Sequence, residues 1–198
     1  MTLKGIIASP RLIKTSESKN LNVTSLWDAD DIKYIQQLAC NKFLNIGINW
    51  QASPNPNLDK GRSFKLKYFN DISLINKIRL YSLQKVNGLD QINEINKQFK
   101  LNIPSDFDKD APFVDTAAII ENLDLVITCD TSIAHLSGAI GKKTFLLLQK
   151  NSEWRWLHTG DYSPWYDSIK IYRQKKQDDW ESVFKDVKDD IIKTLGIS

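Results

Sequence analysis

One stretch gathers acidic, hydroxyl and imidazole side chains at a strand-to-helix junction. It reads Asp130-Thr131-Ser132-Ile133-Ala134-His135-Leu136-Ser137-Gly138-Ala139-Ile140-Gly141. Before it runs the apolar segment Leu125-Val126-Ile127-Thr128-Cys129, so a buried strand passes into a helix here. Asp130 or Thr131 is placed to cap that helix by accepting backbone N–H bonds. The other amides of the first turn then face an open crevice, where amides and helix dipole together favour a phosphate. His135 falls about one turn in, on the side that reaches the crevice. A plainer reading is a capped helix with a surface histidine. A third is the D-T-S triplet of an aspartic protease, which the helical pattern after it opposes, because those proteases set the triplet among strands.

The elements that position this segment follow from the hydrophobic periods. Strands are expected at 43–50, 79–83, 125–129, 144–148 and 169–172. Helices are expected near 66–76, weakly at 89–99, at 115–123, at 132–140 closed by Gly141, and at 179–195. The last carries Trp180, Val183, Phe184, Val187, Ile191 and Leu195 on one stripe. Strands alternating with helices predict an α/β domain, with a Rossmann-like parallel sheet and helices on both faces. Ligands in such sheets bind beyond the carboxyl ends of the strands, which points to the loops at 51–63, 84–88 and 129–135. Residues 1–42 read as an N-terminal extension with one helix, in which Asp28, Asp30 and Asp31 precede Ile32, Ile35, Leu38 and Ala39. The domain proper then runs over 43–198.

Composition narrows the class. The 198 residues are 41% hydrophobic and 26% charged, as in ordinary globular proteins. A net charge of +3, from 27 basic and 24 acidic residues, is too balanced for a nucleic-acid partner. No run reaches the roughly 18 apolar residues of a membrane span, and the N-terminus lacks a signal-peptide core. A cytoplasmic location is expected. Cys40 and Cys129 match no metal spacing, and Cys129 reads as a buried thiol. No G-x-G-x-x-G follows any strand, which opposes a dinucleotide oxidoreductase.

Longer motifs carry a family resemblance. IGINWQASP, GRSF, LYSLQK, DTAAIIENLDLVITCDTSIAHLSGAIGKKTFLLLQ and WRWLHTGDYSPWYDSIKIYRQ occur in that order. Residues from about 43 to 175 resemble the C-terminal domain of GT-B glycosyltransferases of the heptosyltransferase family (family nine), in the version found at the C-terminus of bacterial tetratricopeptide-repeat proteins. The resemblance implies a domain that binds a nucleotide-diphosphate sugar. It implies that Asp130, Thr131 and Ser132 form the turn holding the donor diphosphate, and that His135 lies by the phosphate or the transferred sugar as the tentative catalytic residue. Lys60 or Arg62 would contact the phosphates, and Gln84, with Lys85 beside it, the ribose or base. Neither a metal nor a cofactor is implied. Charge growing on the leaving diphosphate would be met by cations and amides.

Such enzymes have two α/β domains, with the acceptor site and usually the catalytic base on the N-terminal one. The 42 residues before the domain do not hold a second fold of that kind, so the acceptor domain is either missing, as in a degenerate or split relic, or supplied by a protein partner. The alternative is a non-catalytic nucleotide-binding or protein-interaction module derived from such an enzyme. Asp28-Ala29-Asp30 spells the D-x-D metal motif of another glycosyltransferase class, but its place at a helix start favours dipole pairing. Trp154, Trp156, Tyr162, Trp165 and Tyr166 form an aromatic cluster, expected to pack their connection onto the sheet. His158 reads as a solvated loop residue.

Overall fold

Short apolar runs become the strands of a single parallel sheet. The computed structural model describes residues 43–53, 61–95, 99–105 and 107–195. The expected extension over 1–42, with its helix, Cys40 and Asp28-Ala29-Asp30, lies outside them, as does Lys60. The strands are β1 (Leu44–Asn49), β2 (Ile78–Ser82), β3 (Leu101–Asn102), β4 (Leu125–Thr128), β5 (Thr144–Leu148) and β6 (Ile169–Arg173). Their order is β3-β2-β1-β4-β5-β6, and every pairing is parallel. The helices are α1 (Asn70–Ser73), α2 (Val114–Asn122), α3 (Ser132–Ile140) and α4 (Trp180–Leu195). This is the expected Rossmann-like α/β arrangement.

The alternation of side chains along each strand builds a core on each face. On one face Ile46, Ile48, Leu125, Ile127, Phe145 and Leu147 pack with the α4 stripe Trp180, Val183, Phe184, Val187 and Ile191. On the other, Val126, Tyr81 and Leu83 meet Ile119 and Ile120 of α2, Leu123 just after it and Ile133 of α3. Leu146, Leu148, Ile169 and Ile171 meet Ala134 and Trp156 there. Strands buried on both sides need no polar alternation, so β4 and β5 are buried at every residue. Gly141, at φ 76°, closes α3: its N–H reaches the Gly138 carbonyl, and the Lys142 N–H reaches that of Ser137, each at 2.9 Å.

Two expectations are corrected, and one strand is added. The helix near 66–76 is a 3-10 turn over Leu66–Phe69 followed by the single turn of α1. Its buried residues Leu66, Phe69 and Ile72 recur every third position, the repeat of a 3-10 helix. The helix at 89–99 is a 3-10 turn over Leu89–Glu94, where Leu89, Ile92 and Ile95 show the same spacing. β3 was not foreseen, because two residues are too short to show a period. Asn102 secures it through its side chain, donating to the Leu80 carbonyl at 2.9 Å.

Candidate functional site

The strand order reverses between β1 and β4, so the connections leaving these two strands diverge and open a crevice at their carboxyl ends. Asn49, the last residue of β1, is buried there and ties three loops together. Its Nδ2 donates to Gln84 Oε1 at 2.9 Å. Its Oδ1 accepts from the Thr131 hydroxyl at 2.9 Å, with Cys129 Sγ at 3.6 Å. The Thr128 hydroxyl lies 3.2 Å from the same oxygen but closer to the Cys129 carbonyl, at 2.8 Å, where its single proton is best placed.

Gln84 completes this brace. Its Oε1 also accepts the backbone N–H groups of Trp50 and Gln51, each at 3.0 Å, and its Nε2 donates to the Gln51 carbonyl at 2.8 Å. The residue expected at the ribose or base therefore holds the end of β1 to the end of β2. Trp50 extends the brace, its indole N–H donating to the Gly88 carbonyl at 3.1 Å.

Because Thr131 turns its hydroxyl back to Asn49, it does not cap α3. Neither Thr131 nor Asp130 makes the expected side-chain cap bond. Thr131 keeps extended backbone angles, and its carbonyl accepts the Ala134 N–H at 3.1 Å. The first-turn residues Ser132 and Ile133 line a cleft of about 220 Å3 together with Thr131, Gln84, Lys85 and Phe113. Its far wall is set by Asp108, whose carboxylate accepts the N–H groups of Asp115 and Thr116 at 2.8 and 3.1 Å and so caps α2. Lys85 Nζ donates to the Asp108 carbonyl at 2.8 Å.

Arg62 approaches the turn from the β1 side. Its Nη1 donates to the Asp130 carbonyl at 3.4 Å, while its buried Nε has no partner among the described residues. A guanidinium held so, with donors to spare, suits an anion arriving at the turn. Asp130 is buried, and its carbonyl is the acceptor of the Arg62 bond. Among the described residues no three His, Cys, Asp or Glu side chains gather as ligands for a metal ion, and no helix is long and apolar enough to cross a membrane.

His135 sits apart from the cleft lining, in an aromatic nest. Trp156, fully buried, stacks on its ring with centroids 5.0 Å apart at 24°. Tyr166 meets it edge-on at 5.9 Å, with its hydroxyl 3.3 Å from Nδ1. The expected aromatic cluster thus divides. Trp156 and Tyr166 pack inward, whereas Trp154, Tyr162 and Trp165 are 69%, 61% and 58% exposed, and His158 is exposed as expected. Asn49 and Asp108 did not stand out in the sequence, and Tyr166 did so only as a packing member of the aromatic cluster, not as a partner of His135. The one signal for Asn49 was an amide at the carboxyl end of a largely apolar strand.

No protein-family model matches the chain. Among curated proteins, Protein FlbA of Caulobacter vibrioides is 35% identical over 78 residues, which are 39% of this chain and 13% of FlbA. Among solved structures, E. coli ADP-heptose LPS heptosyltransferase II is similar with a TM-score of 0.56 and 12% sequence identity, over 86% of this chain and 51% of that one. The chain therefore spans about half the length of the heptosyltransferase and a small part of FlbA. At 12% identity the likeness is one of fold, and the chain carries the Rossmann-like fold of about half of a heptosyltransferase.

Proposed function

We propose that this chain is a glycosyltransferase-like domain that binds a nucleotide-diphosphate sugar and, with an acceptor domain supplied by a partner, transfers the sugar. The observation that carries this reading is the start of α3, where no side chain caps the helix because Thr131 is committed to Asn49. First-turn amides at a sheet's switch point are suited to a diphosphate. The fold likeness to a heptosyltransferase supports the same reading. In it, the Thr131 and Ser132 amides and the Arg62 guanidinium hold the diphosphate, with Lys60 on the same loop. Asp130 shapes the turn, Gln84 braces the cleft wall, and His135 contacts the leaving phosphate.

Thermal unfolding with ADP, UDP, GDP and CMP tests the reading. A ligand at about 100 times its dissociation constant adds roughly 2.7 kcal/mol. That raises the midpoint by several degrees, at roughly 2–4 °C per kcal/mol. One nucleotide is expected to give such a rise, and Arg62→Ala to reduce it. No rise with any of the four would overturn the reading.

The exposed rings of Trp154, Tyr162 and Trp165 favour a second reading, a protein-interaction module without catalysis. It predicts no nucleotide response and a partner whose binding is weakened by Trp154→Ala or Trp165→Ala.

A further inference from the structure

The two ring nitrogens of His135 have different surroundings. Nδ1 faces the Tyr166 hydroxyl at 3.3 Å, while Nε2 makes no hydrogen bond among the described residues. The ring is fixed between the Trp156 face and the Tyr166 edge. Tyr166 gains its place from a missing side chain. A Cβ on Gly138 would lie 2.5 Å from Tyr166 Cγ and 2.8 Å from both Cδ atoms. Gly138 follows His135 by three residues and so lies on the same face of α3. The helix therefore has a notch beside its histidine, and the tyrosine ring fills it. From the other side the Tyr166 backbone N–H donates to the hydroxyl of the buried Ser163 at 3.3 Å.

We propose that Tyr166 is a positioning residue, which donates its hydroxyl proton to Nδ1 and thereby fixes neutral His135 as the Nε2–H tautomer. A neutral imidazole carries one N–H, and the nitrogen that accepts a hydrogen bond is the one without it. The reverse arrangement, Nδ1–H donating to the phenol oxygen, would use the weaker acceptor of the pair, because a neutral imidazole nitrogen is far more basic than a phenol oxygen. The group His135 then offers a ligand is a donor, matched to a phosphoryl oxygen and unable to abstract a proton. This use rests on the donor-site reading above. There His135, in the first turn of α3 with Ser132, hydrogen-bonds the leaving diphosphate as its charge grows.

The test is a long-range 1H–15N correlation spectrum of the imidazoles in the full 15N-labelled chain, under conditions where both rings are neutral. His158→Gln, at an exposed position, assigns the remaining signals to His135. The wild type is expected to show a protonated Nε2 and an unprotonated Nδ1. Tyr166→Phe, which keeps the ring against Gly138, is expected to merge them into the averaged pair of an exchanging imidazole. Gly138→Ala, which displaces the ring but keeps its hydroxyl, should do the same. An Nδ1–H signal in the wild type, or an unchanged tautomer in Tyr166→Phe, would overturn the proposal. ADP titration reads the consequence separately. Tyr166→Phe is expected to weaken ADP binding about threefold to tenfold, as the loss of one neutral hydrogen bond does, and to add no loss to His135→Ala. Equal ADP affinity in wild type and Tyr166→Phe would overturn the link from tautomer to ligand. A wild type that binds no nucleotide yet shows the Nε2–H tautomer would overturn the donor site and support the Tyr166 assignment.

Discussion

Replacing Asn49 by alanine removes the acceptor of the Thr131 hydroxyl and a donor to Gln84 at one stroke. Leaving a buried polar group without its partner costs about 1–3 kcal/mol, and Asn49→Ala is expected to lower stability in urea by that amount. Its second effect is more telling. The released Thr131 hydroxyl can turn to the first-turn amides of α3 and cap them as threonine commonly does. Nucleotide titration of Asn49→Ala should therefore show weaker binding than its stability loss explains. The sequence made the junction at Asp130-Thr131-Ser132 readable, because a buried strand running into a helix has a recognisable pattern. It concealed which acceptor Thr131 uses, since Asn49 lies 82 residues away from it and 35 from Gln84. Composition and period say nothing about bonds between such distant residues.

Between elements, α4 is tied to the edge of the sheet by Asp190. It accepts the Tyr172 hydroxyl at 2.6 Å and pairs with Lys170. The hydrogen bonds from Lys170 and then Tyr172 hold its carboxyl below the usual range. Burial, then the bond to Asp190, pushes the Tyr172 phenol up, so that it remains a donor. A carboxyl with a depressed folded pKa adds stability that is complete above its unfolded value of about 3.9 and fades as pH falls through the folded one. Asp190→Asn is therefore expected to lower the urea midpoint at neutral pH and to converge on wild type as the pH falls below about 3.9 and through the folded value. Lys170 and Asp190 are partly exposed, so the effect shrinks in salt. The helix itself was legible, because a stripe at 3.6-residue spacing persists over its length. The segments at 66–76 and 89–99 looked helical because a repeat of three, over so few residues, is hard to tell from one of 3.6.

At the scale of the whole chain, the first strand is the one that joins the two halves of the sheet. β1 pairs with β2 on one side and with β4 on the other, Ile46 opposite Leu125. The last helix in turn covers aromatic residues from early in the chain, Phe64 and Phe69 both packing on Phe184. A chain ended at residue 178 is therefore expected to lose cooperative unfolding altogether, read as a broad, shallow urea transition. Alternation of strands and helices was enough to foresee the layers, since parallel strands need long crossover connections, most often helical ones. It was not enough to foresee β3, whose two residues belong to the sheet only through pairing with Leu80 and Tyr81.

The thiol of Cys129 lies fully buried against the Asn49 amide, where the crevice is braced. A sulfhydryl reagent can reach it only when the packing around it opens, at the Asn49 brace or in the core under α4, so its rate of modification is a clock for such opening. In a Cys40→Ser background, a modification rate that falls on adding ADP while the unfolding rate stays constant would show the brace opening on its own, in a fluctuation smaller than unfolding. A rate that tracks unfolding would show instead that the two halves of the sheet come apart only when everything does.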